Sequence, residues 1–138
     1  MNKEVEYLKK EDIHSYIKYI KEVFDYDTEE ENIIKLIDKN KILVIKNQDK
    51  IIASIVLEEN YEYIKGEKYY RVSYFGVLKE YRRMGYANRL FEEVEKLVKE
   101  NNIKYLELTS GNHRKAAYYF YQSKDFKIKD TTVFVKLY

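Results

Sequence analysis

The hexapeptide Arg82-Arg83-Met84-Gly85-Tyr86-Ala87, followed by Asn88, joins a β-branched and aromatic run ending at Val77 to the longest helical stretch of the chain. Residues of these types suit the binding of an anion. The first turn of a helix has backbone N–H groups without internal partners, and the macrodipole adds roughly half a positive charge there. Gly85 has no Cβ to hold a ligand away and is free to take a positive φ, and Ala87 is small for the same purpose. Arg82 and Arg83 add charge-assisted donors shaped for phosphate oxygens. The ligand such a turn predicts is a diphosphate. A nucleoside-triphosphate loop is excluded, because no Gly-Lys-Ser/Thr ending is present, and so is the dinucleotide fingerprint with its three spaced glycines.

Other chemistries are narrowed by composition. The chain has no cysteine, which removes disulfides, thiolate catalysis and cysteine-based metal sites together. His14 and His113 are isolated and far apart, so no metal is expected. The 26 basic and 24 acidic residues leave a net charge of +2, too little for a general pull on nucleic acid, so any basic site must be local. No apolar run approaches the ~18 residues of a membrane span, and the charged start lacks the apolar segment of a secretory signal. The expectation is a cytoplasmic protein with neither nucleic acid nor membrane as partner. At 138 residues the chain is read as one domain over 1–138. The 16 tyrosines fit a compositional bias toward Lys, Ile, Asn and Tyr.

The elements that must position the turn follow from periodicity. "VEYLKK" reads as a first strand, and Asp12 is placed to cap a helix with Ile13, Tyr16, Ile17, Ile20, Val23 and Phe24 on its apolar face. Thr28 and Glu31 have the spacing of a capping box for a second helix, which stops near Asn40. "KILVIK" and "IIASIVLEE" flank the turn-rich "NQDK" as a hairpin, and "KYYRVSYFGV" is a third long strand. After the helix carrying Leu90, Phe91, Val94, Leu97 and Val98 come a strand "KYLELT", a helix "NHRKAAYYFYQSK" with Asn112 as N-cap, and a closing hairpin over "FKIKDTTVFVKLY". This order predicts an α/β (α+β) fold, with about four helices around a mixed, mostly antiparallel central sheet.

Arg82-x-x-Gly85-x-Ala87 after a strand resembles the acetyl-CoA signature of the GNAT superfamily of N-acetyltransferases. The stretch Asn112–Phe126 is similar to that family's later helix, although Asp125 replaces the usual glycine and Arg114 stands where asparagine is commoner. The order of elements also matches along nearly the whole chain. The resemblance implies a GNAT-like sheet whose fourth and fifth strands splay apart around the pantetheine arm of acetyl-CoA, the acetyl donor. It implies main-chain contacts from Phe75 and Val77, with Gly76 at the bulge and a nearby N–H polarising the thioester carbonyl. It further implies a diphosphate cradle of Arg82, Arg83, Met84, Gly85, Tyr86, Ala87 and Asn88, and contacts from Asn112, Ala117 and Tyr121.

Tyr121 falls at the tyrosine that lies near the coenzyme sulfur in many relatives. A tyrosine pKa near 10 against ~8.5 for a thiol makes full proton transfer uphill by about 2 kcal/mol. Tyr121 is therefore expected to donate a hydrogen bond to the developing thiolate; packing beside Ala117 and Phe120 is its other reading. The general base stays unassigned, because "YYRVSYFGV" has no carboxylate. Glu58, Glu59, Glu107 or a water chain past Ser73 or Tyr74 are the substitutes. The acceptor expected is a primary amine on a small molecule or peptide. Tyr26, Tyr61, Tyr63, Tyr69 and Tyr74 are candidates for an aromatic pocket around its cation. The resemblance also admits a homodimer. The competing reading is a non-catalytic acyl-CoA-binding or sensing domain of the same fold.

Overall fold

The structure is a computed structural model that describes residues 3–138 in two compact units, one running to Leu108 and the other Thr109–Tyr138. The first unit is a five-stranded sheet in the order β1–β2–β3–β4–β5. Its strands are β1 (Val5–Tyr7), β2 (Lys41–Asn47), β3 (Lys50–Glu62), β4 (Glu67–Val77) and β5 (Tyr105–Glu107). The first four are antiparallel to one another, and β5 runs parallel to β4. The mixed, mostly antiparallel sheet is therefore as expected. Its helices are α1 (Ile13–Phe24), α2 (Glu30–Lys39) and α3 (Tyr86–Glu100).

Burial explains the layering. Ile42 to Ile45 of β2 and Ile51 to Leu57 of β3 are all buried, alternate residues on opposite faces included. Both faces of the sheet are covered. Tyr16, Tyr19 and Ile20 of α1, with Leu90, Phe91 and Val94 of α3, supply the apolar surface. Tyr19 was not on the apolar face read from the sequence, yet it is 1% exposed.

None of the three expected side-chain caps, at Asp12, Thr28 and Asn112, forms. Asp12 precedes α1, but its carboxylate accepts a hydrogen bond from the Lys9 N–H and faces the Lys46 ammonium at 3.3 Å. A partly buried cation holds it more strongly than the helix N-terminus does. The N-cap of α2 is Glu29 in extended conformation, one residue beyond Thr28, and no side chain caps it. The β2–β3 hairpin closes through Gln48 and Asp49, with Gln48 at φ 58. Among the described residues no helix is long and apolar enough to cross a membrane.

The second unit holds α4 (Lys115–Ser123), preceded by a turn in which Arg114 N–H donates to the Gly111 carbonyl at 3.0 Å. Asn112 lies inside that turn, and Arg114 occupies the N-cap position. The expected closing hairpin carries no strand within 126–138. Thr131 N–H instead donates to Lys129 O at 2.9 Å, a three-residue turn about Asp130. Asp130-Thr131 lacks the glycine or asparagine that a tight two-residue hairpin loop favours.

Helix α4 ends in a Schellman motif: Phe126 N–H donates to Tyr121 O and Asp125 N–H to Gln122 O, both at 3.1 Å. Asp125 takes φ 67, the left-handed conformation that glycine adopts without cost. The ring of Phe126 lies 5.5 Å from that of Tyr121, edge to face, as the apolar contact of the motif. The glycine missing from the sequence is thus missing in residue type only, since the backbone keeps the conformation. Asp125→Gly is expected to stabilise the protein by about 0.5 kcal/mol, read as a higher urea midpoint at unchanged slope.

Candidate active site

Strand β4 carries an irregularity. Ser54 pairs with Gly76 and Val56 with Ser73, so Tyr74 and Phe75 together oppose Ile55. This is a bulge of one extra residue on β4. The residue in left-handed conformation is Tyr74, at φ 47, while Gly76 has no positive φ. The expected bulge is present one or two residues earlier than Gly76, and it rests on a non-glycine residue in a sparsely populated region. The glycine is required for packing. A Cβ at Gly76 would stand 2.7 Å from Val23 Cγ1 and 3.2 Å from Phe24 Cζ, so α1 closes directly onto the β4 backbone.

Beyond the bulge, Leu78 N–H donates to Ile52 O at 2.8 Å across to β3. Peptide groups alternate direction along a strand, so those of Val77 point to the opposite edge, away from β3. Arg82 Nε donates to the Val77 carbonyl at 3.1 Å and ties the connection back to the strand end. Counting back two residues, the peptide groups of Phe75 take the same edge. The β4–β5 ladder ends at Arg71↔Glu107, and β4 continues to Val77. The β4–β5 pairing thus stops, with the end of β5, before the bulge is reached.

The connection makes a 3-10 turn at Lys79–Tyr81 and then enters α3 through two left-handed residues, Arg83 at φ 64 and Gly85 at φ 85. Gly85 is the N-cap, and no side chain caps the helix. The first helical bond is Arg89 N–H to Gly85 O at 3.1 Å, so the N–H groups of Tyr86, Ala87 and Asn88 precede the ladder. A left-handed residue followed by helical ones turns successive N–H groups into one concavity suited to an anion. A Cβ at Gly85 would meet nothing within 4 Å, so this glycine answers to its φ and not to crowding by the protein. Tyr81 and Tyr86 pack edge to face at 6.3 Å, and Asn47 Nδ2 donates to the Tyr81 hydroxyl at 2.9 Å. Those contacts anchor the turn to β2. Met84 stands 61% exposed.

The residues proposed for chemistry are dispersed. Glu107 pairs with Arg71 at 3.2 Å, and Glu58 sits opposite Arg71 in register. Glu59 opposes Tyr70, so none of these carboxylates lies at the bulge. The five tyrosines considered as one pocket are separate. Tyr61 and Tyr63 meet each other near the β3–β4 turn, Tyr69 stacks on Tyr105 at 4.6 Å, and Tyr26 is exposed. Tyr74 alone stays at the bulge, edge to face with Phe24 at 5.9 Å. His14 and His113 are both exposed. No group of three His, Cys, Asp or Glu side chains placed to hold a metal occurs among the described residues.

In the second unit, Ala117, Phe120 and Tyr121 form the half-buried face of α4, as their spacing predicts. Burial raises the Tyr121 hydroxyl above the ordinary tyrosine value, with Arg114 opposing. It is thus a neutral hydrogen-bond donor at physiological pH.

A model of the acetyltransferase (GNAT) family matches residues 5–126. The chain belongs to that family. Solved structures share the GNAT fold at low identity. An aminoglycoside 6'-N-acetyltransferase from Acinetobacter baumannii superposes with TM-score 0.81 at 18% identity, covering 99% of both chains. A ribosomal-protein-alanine N-acetyltransferase from Brucella melitensis gives 0.81 at 14%, covering 98% of this chain and 99% of the other. A protein described as a transcriptional regulator from Bacillus halodurans gives 0.86 at 15%, covering 99% and 100%. No functionally curated protein matches the sequence.

Two features of this GNAT chain escaped the sequence reading: the left-handed Tyr74 and the hydroxyl of Tyr19, which donates to the Gly76 carbonyl at 2.8 Å. Gly76 was their signal, since a glycine within a β-branched and aromatic strand marks a close approach as well as a bulge. Gly76→Ala is expected to destabilise by about 1–3 kcal/mol through overpacking against Val23; an unchanged urea midpoint would contradict the tight contact.

Proposed function

We propose that the protein is an N-acetyltransferase, one domain over residues 1–138, that moves the acetyl group of acetyl-CoA to a primary amine. Both substrates are held together, and the neutral amine attacks the thioester carbonyl directly. A C–N bond forms, the C–S bond breaks, the coenzyme leaves as thiolate and the amine gives up one proton. The observation that carries this reading is the uncapped, left-handed entry to α3 at Gly85, immediately after a strand that bulges and runs on beyond its parallel neighbour. The N–H groups from Arg83 to Asn88 would receive the diphosphate, with the Arg82 and Arg83 guanidinium groups adding charge. Arg82 keeps Nε on Val77 O, which leaves its terminal nitrogens for the anion. Main-chain groups of Phe75 and Val77 would pair with the pantetheine amides, and an N–H at the bulge would polarise the carbonyl oxygen.

Tyr121 is proposed as the donor to the leaving thiolate, with Ala117 beside it and Asn112 and Arg114 in the preceding turn as further coenzyme contacts. Its raised pKa supports a neutral donor and argues against a tyrosinate base. β4 brings only Ser73 and Tyr74 to the bulge and no carboxylate. That observation favours the second reading, a non-catalytic acyl-CoA sensor. The fold shared with a protein described as a transcriptional regulator supports it as well.

Thiol release with acetyl-CoA and a panel of small and peptide amines separates the two readings. Turnover on any amine establishes the enzyme, and coenzyme binding without turnover establishes the sensor. Gly85→Val is expected to weaken acetyl-CoA binding at least a hundredfold by calorimetry. The near-ultraviolet spectrum stays native, because the strain of a valine at φ 85 is confined to a turn in which its side chain meets no other atom. Tyr121→Phe is expected to lower turnover about tenfold, the value of roughly one charge-assisted hydrogen bond, with little change in coenzyme affinity. Unchanged turnover would return Tyr121 to a packing role.

A further inference from the structure

The register break of β4 is held from outside the sheet by a single hydroxyl. Tyr19 Oη lies 2.8 Å from Gly76 O on β4 and 3.4 Å from Ser54 O on β3. Those two residues are partners in the ladder at the point where the bulge begins. The Tyr19 ring is 1% exposed, stacked on Tyr16 at 5.7 Å and edge to face with Phe24 at 6.2 Å, so its position is set by packing. Gly76 admits α1 this close to β4, because a Cβ there would stand 2.7 Å from Val23 Cγ1, while at 3.4 Å from Tyr19 Oη it would only be in ordinary contact. The hydroxyl carries one proton, and the shorter distance assigns it to Gly76 O.

We propose that Tyr19 is a positioning residue: its hydrogen bond to the Gly76 carbonyl fixes the peptide between Gly76 and Val77, and with it the strand geometry that presents the thioester for attack. This rests on the acetyl-CoA reading of the β4 edge given above. A carbonyl that accepts a buried hydrogen bond polarises its own peptide, so the Val77 N–H becomes the stronger donor toward the edge facing away from β3. The bulge has one residue in an unfavourable conformation, Tyr74, and such strain persists only where the surroundings over-determine it. Tyr19 from α1, against Gly76 and Ser54 from two strands, is that surrounding. The same side chain lines a cleft of about 510 Å³ between α1 and the β2–β3 turn, rimmed by Lys18, Glu22, Asp49 and Lys50 and bounded by Leu78. Tyr19 therefore joins that cleft to the bulge.

Tyr19→Phe keeps the ring and removes the hydrogen bond. Tyr16→Phe is its control: it deletes the hydroxyl of the stacked neighbour, which is buried beside the Ser54 side chain and donates to no backbone carbonyl of β4. Backbone amide exchange over Ser73–Leu78 is expected to speed up roughly five- to tenfold in Tyr19→Phe, the loss of one net hydrogen bond, and to stay unchanged in Tyr16→Phe. Turnover at saturating acetyl-CoA and amine is expected to fall about tenfold in Tyr19→Phe alone, while the dissociation constant for coenzyme A moves less than about threefold. Equal exchange in the two variants, or full turnover by Tyr19→Phe, overturns the proposal. A wild-type protein that binds no coenzyme would defeat the acetyl-CoA reading instead, and the exchange comparison would still decide whether Tyr19 holds the bulge.

Discussion

The first unit depends on one close approach, the seating of α1 on the bare backbone of Gly76. Val23 and Phe24 fill the space that a side chain at this position would need, and Tyr19 reaches past them to the carbonyl. A helix so near a strand can hold that strand out of regular pairing. The bulge at Tyr74 and Phe75 follows, and it shifts the alternation of side chains by one. Phe75 is consequently buried while Tyr74 stands half-exposed against Phe24. The strand keeps its core contacts and offers an irregular edge.

That edge leads directly into the turn before α3. Leu78 is fastened to β3, Arg82 returns to Val77, and Tyr81 is held by Asn47. With its flanks fixed, the chain reaches the helix in few residues only by using the left-handed region twice, at Arg83 and Gly85. Glycine does so freely; arginine does so at a cost of about 1 kcal/mol, of the kind found where backbone geometry serves a ligand. The result is a helix end whose N–H groups no side chain of the protein satisfies by capping. Neighbouring guanidinium groups add charge to a region already favourable to anions. Membership of the GNAT family accounts for why such a turn follows such a strand in this chain.

Electrostatics sort the remaining polar groups into structural and available ones. Asp12, Glu6 and Lys46 form a partly buried set that joins β1, β2 and the start of α1. Arg71 and Glu107 close the end of the β4–β5 ladder. The bulge itself is lined by hydroxyls and aromatic rings.

Much of this was legible in the residues themselves. Strand and helix types followed from period-2 and period-3.6 burial for all but the closing hairpin, and Gly85 marked by residue type the left-handed entry to α3. Those features are local, set by backbone sterics and by which side chains tolerate water. The side-chain caps fail for separate reasons: Asp12 bonds Lys46, thirty-four positions along the chain, α2 begins after Glu29 and not Thr28, and Arg114 takes the N-cap of α4. The expected tyrosine pocket dissolved because burial and stacking partners are assigned by strand register. Likewise the sequence could mark Gly76 as special but not say that Val23, Phe24 and Tyr19 were the reason. Sequence alone determined the strands and helices up to α4 and the family they belong to, since each rests on near neighbours. Tertiary structure decided which residue bends β4 and which hydroxyl holds it, because those depend on distances between chain segments that no local pattern encodes.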